Sequence, residues 1–118
     1  DGGTTDLLDN VPVWSGRFDY VFGAEPTYTT KTKQENLSSH MTCPGSRTPV
    51  IEHALMGYEM SSPITPLNGD DTAIDQIAVN KDSAGKLTVT LRGKWPVSVT
   101  VEVLAQVFCR TSSPLTPS

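Results

Sequence analysis

The chain lacks a long apolar run. Only 36% of its 118 residues are hydrophobic, and no stretch approaches the roughly 18 apolar residues of a membrane-spanning helix. Basic residues are also few, since nine Lys and Arg stand against thirteen Asp and Glu, which gives a net charge of −4. Nucleic-acid binding needs a basic surface that displaces counterions. We therefore expect one domain with no membrane span and no nucleic-acid partner.

Cysteine and histidine are scarce as well. The two cysteines, Cys43 and Cys109, belong to no C-x-x-C pair and no Cys/His cluster, so we expect no metal site and no cofactor. They either form a disulfide that closes a long loop or remain two free thiols. His40 lies three residues before Cys43 in a Pro/Gly-containing loop, which is not the spacing of a catalytic pair, and no G-x-S-x-G motif is present. We expect that the chain is not an enzyme.

Alternation with a period of two is the main structural signal, and it is typical of β-strands. Residues 11–22 carry aromatic side chains at even positions, and we expect these to face the core. Residues 27–33 are polar with two lysines, which indicates an edge strand. Residues 86–92 and 97–108 alternate most clearly, so we expect an adjacent antiparallel pair joined by a turn at 93–96, with the last strand inside a sheet. The aromatics of the first segment are Trp14, Phe18, Tyr20 and Phe22.

Two segments fit either a helix or a strand. Residues 50–60 contain apolar positions at both spacings, and we favour a strand because the neighbouring segments are strands. Residues 72–80 are left open between the two, and residues 81–85 read as a hairpin loop. The acidic residues that follow Asn68-Gly69 fit a turn leading into a helix N-terminus better than a calcium loop, because the spacing is not that of an EF-hand.

The fold class expected from these patterns is all-β, an antiparallel β-sandwich with jelly-roll-like or immunoglobulin-like topology left open and one short helix allowed. Residues 1–10 would form an N-terminal arm or linker, 11–110 the single domain, and 111–118 a flexible Ser/Thr/Pro tail. The chain starts at Asp1 without a Met, as in a processed protein or a fragment of a longer one.

We expect a non-enzymatic structural or assembly module of a surface, fibre or virus particle, of the capsid-decoration or attachment type. Its localisation would be extracellular, on a cell surface or on a virion, and its partners further copies or a larger protein assembly. The Asn36-Leu37-Ser38 sequon permits glycosylation at Asn36. The arm and the final strand would make the subunit contacts, although burial within the monomer explains the strand residues equally well. These candidate contact residues are Leu7, Leu8, Val103, Leu104 and Phe108.

The alternative function is carbohydrate binding. Sugars are held by an aromatic face and by carboxylate acceptors, and Trp95, in a turn before a proline, is the best candidate for an exposed aromatic. The layout of residues 49–58, 87–91 and the valine-rich last strand is similar to that of trimer-forming H-type lectins, but no binding motif of that family matches. The candidate glycan-binding residues are Trp95, His53, Tyr58, Asp70 and Asp71.

Overall fold

The computed structural model describes residues 9–61 and 72–111. It contains six β-strands and one short 3-10 helix, Ser38–His40, which lies between β2 and β3. The strands are β1 Pro12–Phe22, β2 Glu25–Asn36, β3 Thr48–Met60, β4 Ala73–Lys81, β5 Lys86–Trp95 and β6 Val99–Arg110. No helix among these residues is long and apolar enough to span a membrane.

The six strands form two antiparallel sheets of three strands each. The first sheet has the order β1-β6-β3, and the second has the order β2-β5-β4. The expected β-sandwich is therefore confirmed. The polar strand β2 is an edge strand, and β6 is the central strand of its sheet, as predicted. β6 begins and ends two residues later than the sequence pattern indicated.

Strands β5 and β6 are not paired with each other, which corrects the expected adjacency of the last two strands. β5 pairs with β2 and β4, whereas β6 pairs with β1 and β3. The expected turn at 93–96 is also wrong, because β5 runs on to Trp95 and the chain then crosses to the other sheet. Alternation shows which face of a strand is buried, but it carries no information about the strand's neighbour.

Both ambiguous segments are strands. β3 confirms the strand interpretation of residues 50–60, and β4 occupies most of residues 72–80. The expected helix N-terminus after the Asn68-Gly69 turn is wrong, because the chain enters β4 at Ala73. The acidic residues Asp70 and Asp71 lie outside the described residues.

The predicted hairpin loop joins β4 to β5. The Asp82 carboxylate accepts hydrogen bonds from the backbone N–H groups of Ala84, at 3.0 Å, and Lys86, at 2.9 Å. The bond from the Lys86 N–H is the main reason that the pKa of Asp82 is lowered from its usual value. Asp82 thereby fixes the turn that places β4 beside β5.

The core lies between the two sheets and comes mostly from their central strands. Leu87, Val89 and Leu91 of β5 face the inward valines of β6, and these side chains are fully buried. Burial of each such side chain contributes about 1.5–3 kcal/mol. The aromatic face of β1 points inward as predicted, with Tyr20 and Phe22 buried and Trp14 and Phe18 partly buried against the core.

A disulfide joins Cys43 and Cys109 across 66 residues of sequence. It ties the loop between β2 and β3 to the end of β6, with the Cys109 side chain buried. The chain-entropy estimate for a loop of this length is about 4 kcal/mol. Of the two alternatives for these cysteines, the structure shows the disulfide, and Cys43 is not a free thiol that could act as a nucleophile.

Candidate functional site

The two longest edge strands differ in the side chains that they expose. β2 presents Lys31 and Lys33 among threonines and glutamates, which is the composition that discourages strand addition. β3, at the edge of the first sheet, has no lysine and exposes three large apolar side chains in its second half. Their exposed fractions are 44% for Leu55, 43% for Met56 and 54% for Tyr58. We call these three residues the β3 patch.

The β3 patch is centred on a β-bulge. Leu55 is opposite Val103 of β6 and Gly57 is opposite Glu102, so Met56 is an extra residue without a partner in that strand. Gly57 has a φ of 152°, a backbone conformation that side-chain-bearing residues rarely adopt. The bulge therefore reverses the in–out alternation, so that Leu55 and Tyr58 both lie on the inward side of the sheet although they are three residues apart.

The first half of β3 is covered at its free edge. The Lys81 ammonium group donates a hydrogen bond to the carbonyl oxygen of Ile51, and it lies 3.7 Å from the Glu52 carboxylate. Glu52 also pairs with Arg110 at 3.4 Å. A second strand that approached this edge would meet the Lys81 side chain at Ile51 and Glu52. Residues 53–60 therefore form the open segment of β3.

A polar cavity of about 390 Å³ lies beside the patch at Tyr58. Three carboxylates line it: Asp19, Glu59 and Glu102. Asp19 and Glu102 are directly opposite each other in the β1–β6 pairing, and Arg17 lies 3.6 Å from Glu102 and offsets part of their repulsion. Tyr58 also borders the cavity, but its partner Val101 places its side chain on the inward side of the sheet, whereas the carboxylates belong to the outer face. The described residues include no group of three or more His, Cys, Asp or Glu side chains with the geometry of a metal site.

Trp95 is the clearest failure among the predicted site residues. It is fully buried, and its indole N–H donates a hydrogen bond of 2.6 Å to the carbonyl oxygen of Gly23. The expectation of an exposed aromatic is wrong, because Trp95 continues the inward series of β5 and does not sit in a turn. Its position at an even step from Leu91 was a signal in the sequence that the Trp-Pro dipeptide obscured.

His53 and Tyr58 lie on the same strand but do not form one site. They are five positions apart in β3 with a bulge between them, and their partners Ala105 and Val101 are four positions apart, which corresponds to about 13 Å along an extended chain. Tyr58 lines the carboxylate cavity, whereas His53 lies opposite Ala105 and is half-buried. A histidine does contact an aromatic ring elsewhere: His40 stacks on Trp14, with ring centroids 4.0 Å apart, at the edge of the core.

The predicted contact residues of β6 have different surroundings. Val103 is buried between the two sheets, so the monomer itself accounts for its apolar side chain. Phe108 is covered within the monomer as well, because the Arg110 guanidinium lies 4.6 Å from its ring centroid. Leu104 is half-buried on the outer face, opposite Ala54 of β3. Leu7 and Leu8 of the arm lie outside the described residues.

Asn36, the residue of the sequon, is exposed at the end of β2. Its Oδ1 accepts a hydrogen bond of 2.9 Å from the backbone N–H of Ser38. A glycan is attached to Nδ2, which is not the atom used in this bond, so the geometry is compatible with modification.

A cluster on the outer face of the second sheet was not predicted from sequence patterns. The Tyr28 hydroxyl donates to the Asp75 carboxylate and accepts a hydrogen bond of 3.1 Å from Arg92. This bond, together with the nearby Asp75 charge, raises the pKa of Arg92 above its usual value. Register shifts in β2 and β4 flank the cluster. Only the three-strand register brings these residues together, since they are far apart in sequence.

Comparison with known proteins adds no relative to this description. No family model, no curated protein and no solved structure matches the chain.

Proposed function

We propose that this chain is a non-enzymatic assembly module that contacts its partners through the second half of β3. The observation that carries the proposal is the β3 patch. Three large apolar side chains are exposed side by side on an edge strand, whereas β2 is defended by lysines. Exposed apolar surface next to unpaired backbone groups is a feature of association sites.

The disulfide supports the compartment that we propose. Disulfides persist in oxidising environments such as the cell exterior or a virion surface. The Cys43–Cys109 bond, with the sequon at the exposed Asn36, therefore favours an extracellular or particle-surface location. A structural unit of a surface, fibre or particle fits these features.

Light scattering on a sizing column tests the assembly proposal. We expect the unmodified chain to have a mass above that of the monomer, and Leu55→Lys to reduce it to the monomer mass, because a buried unpaired charge opposes association. Thr32→Lys is the matched control, since it adds the same charge to β2, and we expect no change in mass. Circular dichroism would verify that both variants are folded.

Two results would overturn this proposal. One is a monomeric unmodified chain at every concentration, and the other is an oligomer whose mass Leu55→Lys leaves unchanged. The first result would also direct attention to ligand binding.

A second candidate function is the binding of a neutral glycan at Tyr58. The observation that favours it is the cavity of about 390 Å³ at Tyr58, whose three carboxylates accept hydrogen bonds from hydroxyl groups. Titration with a panel of neutral oligosaccharides, followed by calorimetry, tests it. We expect Glu102→Ala, which removes a carboxylate of the cavity, to abolish any binding and Asp75→Ala, on the other sheet, to retain it. No heat from any sugar with a folded protein would remove this candidate.

A further inference from the structure

The open segment of β3, residues 53–60, has the same pattern of side-chain directions on both sides of its bulge, and this pattern indicates which strand would pair with it. Among its residues, His53, Leu55, Tyr58 and Met60 lie opposite buried, inward-facing residues of β6. Ala54, Gly57 and Glu59 lie opposite the outward series of β6. From residue 53 towards the bulge, the side chains therefore point inward, outward and inward. From residue 60 towards the bulge, they follow the same order.

We infer that a second copy of this chain pairs with β3 through residues 53–60, antiparallel and about a two-fold axis at the Met56–Gly57 bulge. This inference rests on the proposed assembly function and specifies its partner and register. The two first sheets would join into one six-stranded sheet. Leu55 of each copy would lie opposite Tyr58 of the other.

The bulge selects a second copy over an ordinary strand. A regular strand that paired across β3 would lose its register at Met56, because one extra residue shifts every later side chain to the other face. A strand with the same bulge compensates for this shift when the two bulges are opposite each other. Such a strand is supplied by another copy of the chain, and a two-fold interface uses the same surface on both subunits.

Charge distinguishes between the two registers that keep the faces matched. With Leu55 opposite Tyr58, the flanking pairs are Ala54 with Glu59 and His53 with Met60, and no like charges meet. With His53 opposite Tyr58, the Glu52 carboxylate of each copy would face Glu59 of the other, which is destabilising. That second register would also require the edge at Ile51 and Glu52, where Lys81 already lies. The charge pairs and the position of Lys81 both favour the register with Leu55 opposite Tyr58.

The pairing has favourable contacts from both backbone and side chains. Eight residues in antiparallel register make about eight hydrogen bonds between strands. The Leu55 and Tyr58 side chains, which are exposed in the single chain, would cover each other twice across the axis. Cross-strand aromatic–aliphatic pairs stabilise sheets beyond backbone pairing alone.

Cysteine cross-linking tests the register. An equimolar mixture of the Leu55→Cys and Tyr58→Cys variants, oxidised mildly, should give a disulfide-linked dimer on a non-reducing gel. Either variant alone should remain uncrosslinked, because identical positions are three residues out of register and beyond the reach of a disulfide. The matched control is a mixture of His53→Cys and Tyr58→Cys, which cross-links in the rejected register. Predominant cross-linking of this control would overturn the proposed register.

Hydrogen exchange on the unmodified chain is a second test of the pairing, and it requires no substitution. We expect the amides of residues 53–60 that point away from β6 to lose protection on dilution through the dimer dissociation range, while those of β2 do not change. A stable oligomer whose β3 amides exchange independently of concentration would refute the β3 pairing and leave the assembly function standing. A chain that is monomeric at all concentrations would refute both.

Discussion

The two sheets of the sandwich have similar interiors but different exteriors. In both, a central strand buries its inward side chains completely, with β5 and β6 facing each other across the core. Outside, six of the seven exposed large apolar side chains among the described residues belong to the first sheet or to Val11 just before it. The seventh, Tyr28, is held by Arg92 and Asp75 on the second sheet.

This difference separates the requirements of folding from those of association. Folding requires that inward faces be apolar, and the central strands β5 and β6 satisfy it equally. Nothing in the monomer's stability requires Leu55, Met56 and Tyr58 to be exposed and apolar, since exposed apolar side chains make little contact within their own subunit. The free edge of β3 in the first sheet is therefore where we expect a partner, and the exposed surface of the second sheet is where we expect water.

Among these changes, we expect removal of the Cys43–Cys109 disulfide to have the largest effect on stability. We expect replacement of both Cys43 and Cys109 by Ser to lower the free energy of unfolding by about 4 kcal/mol, because the unfolded chain regains the entropy of a long loop. Denaturant titration with and without reductant measures this change. Reductant should leave the double variant unaffected, and a loss below about 1 kcal/mol would show that the disulfide adds little to the first sheet.

One glycine in each sheet offers a matched pair. A Cβ on Gly93 of β5 would overlap the backbone of Ala73, and the φ of 142° is strained for alanine, so we expect Gly93→Ala to cost about 3 kcal/mol. Gly57 of β3 has a similar φ but no atom within 4 Å of the added Cβ, so Gly57→Ala should cost only about 1 kcal/mol. Thermal unfolding compares the two, and equal losses would mean that backbone strain outweighs the overlap.

One buried aromatic residue in each sheet gives the next contrast. The Trp95 indole N–H is satisfied by the Gly23 carbonyl, whereas the buried Tyr20 hydroxyl has no hydrogen-bond partner among the described residues. We expect Trp95→Phe to destabilise by about 2 kcal/mol, through a lost bond and a small cavity. Tyr20→Phe should instead leave stability unchanged or raise it by about 1 kcal/mol. Destabilisation by Tyr20→Phe would indicate that its hydroxyl has a partner.

The pH dependence of stability sharpens the Tyr20 comparison and has the smallest expected effect. Burial, with a contribution from the Glu35 charge, raises the pKa of Tyr20 to about 12 from an ordinary value of 10.0. The folded state then holds its proton while the unfolded state loses it, so stability is full below pH 10 and falls as the pH rises towards 12. We expect the unmodified chain to lose about 1 kcal/mol more than Tyr20→Phe between pH 10 and about pH 11. Parallel denaturant curves for both proteins would contradict the pKa shift.

Sequence patterns were reliable wherever one residue's environment follows from its near neighbours. Period-two alternation identified the inward faces of β1, β5 and β6, and the lysines marked β2 as an edge. Of the candidate site, the sequence supplied Tyr58 but neither Leu55 nor Met56. Both belong to a segment that also had helical spacing, so its exposed face could not be read before the strand was known.

The sequence by itself determined an all-β sandwich with a central final strand, because alternation and turn chemistry are local properties. Only the tertiary structure decided which strands are neighbours, that Trp95 is inside, and that Tyr28, Arg92 and Asp75 meet. Pairing depends on the register between segments that are distant in the chain, and register is a property of the whole sheet. For the same reason, the symmetric open edge of β3 became visible only when the partner of each of its residues in β6 was known.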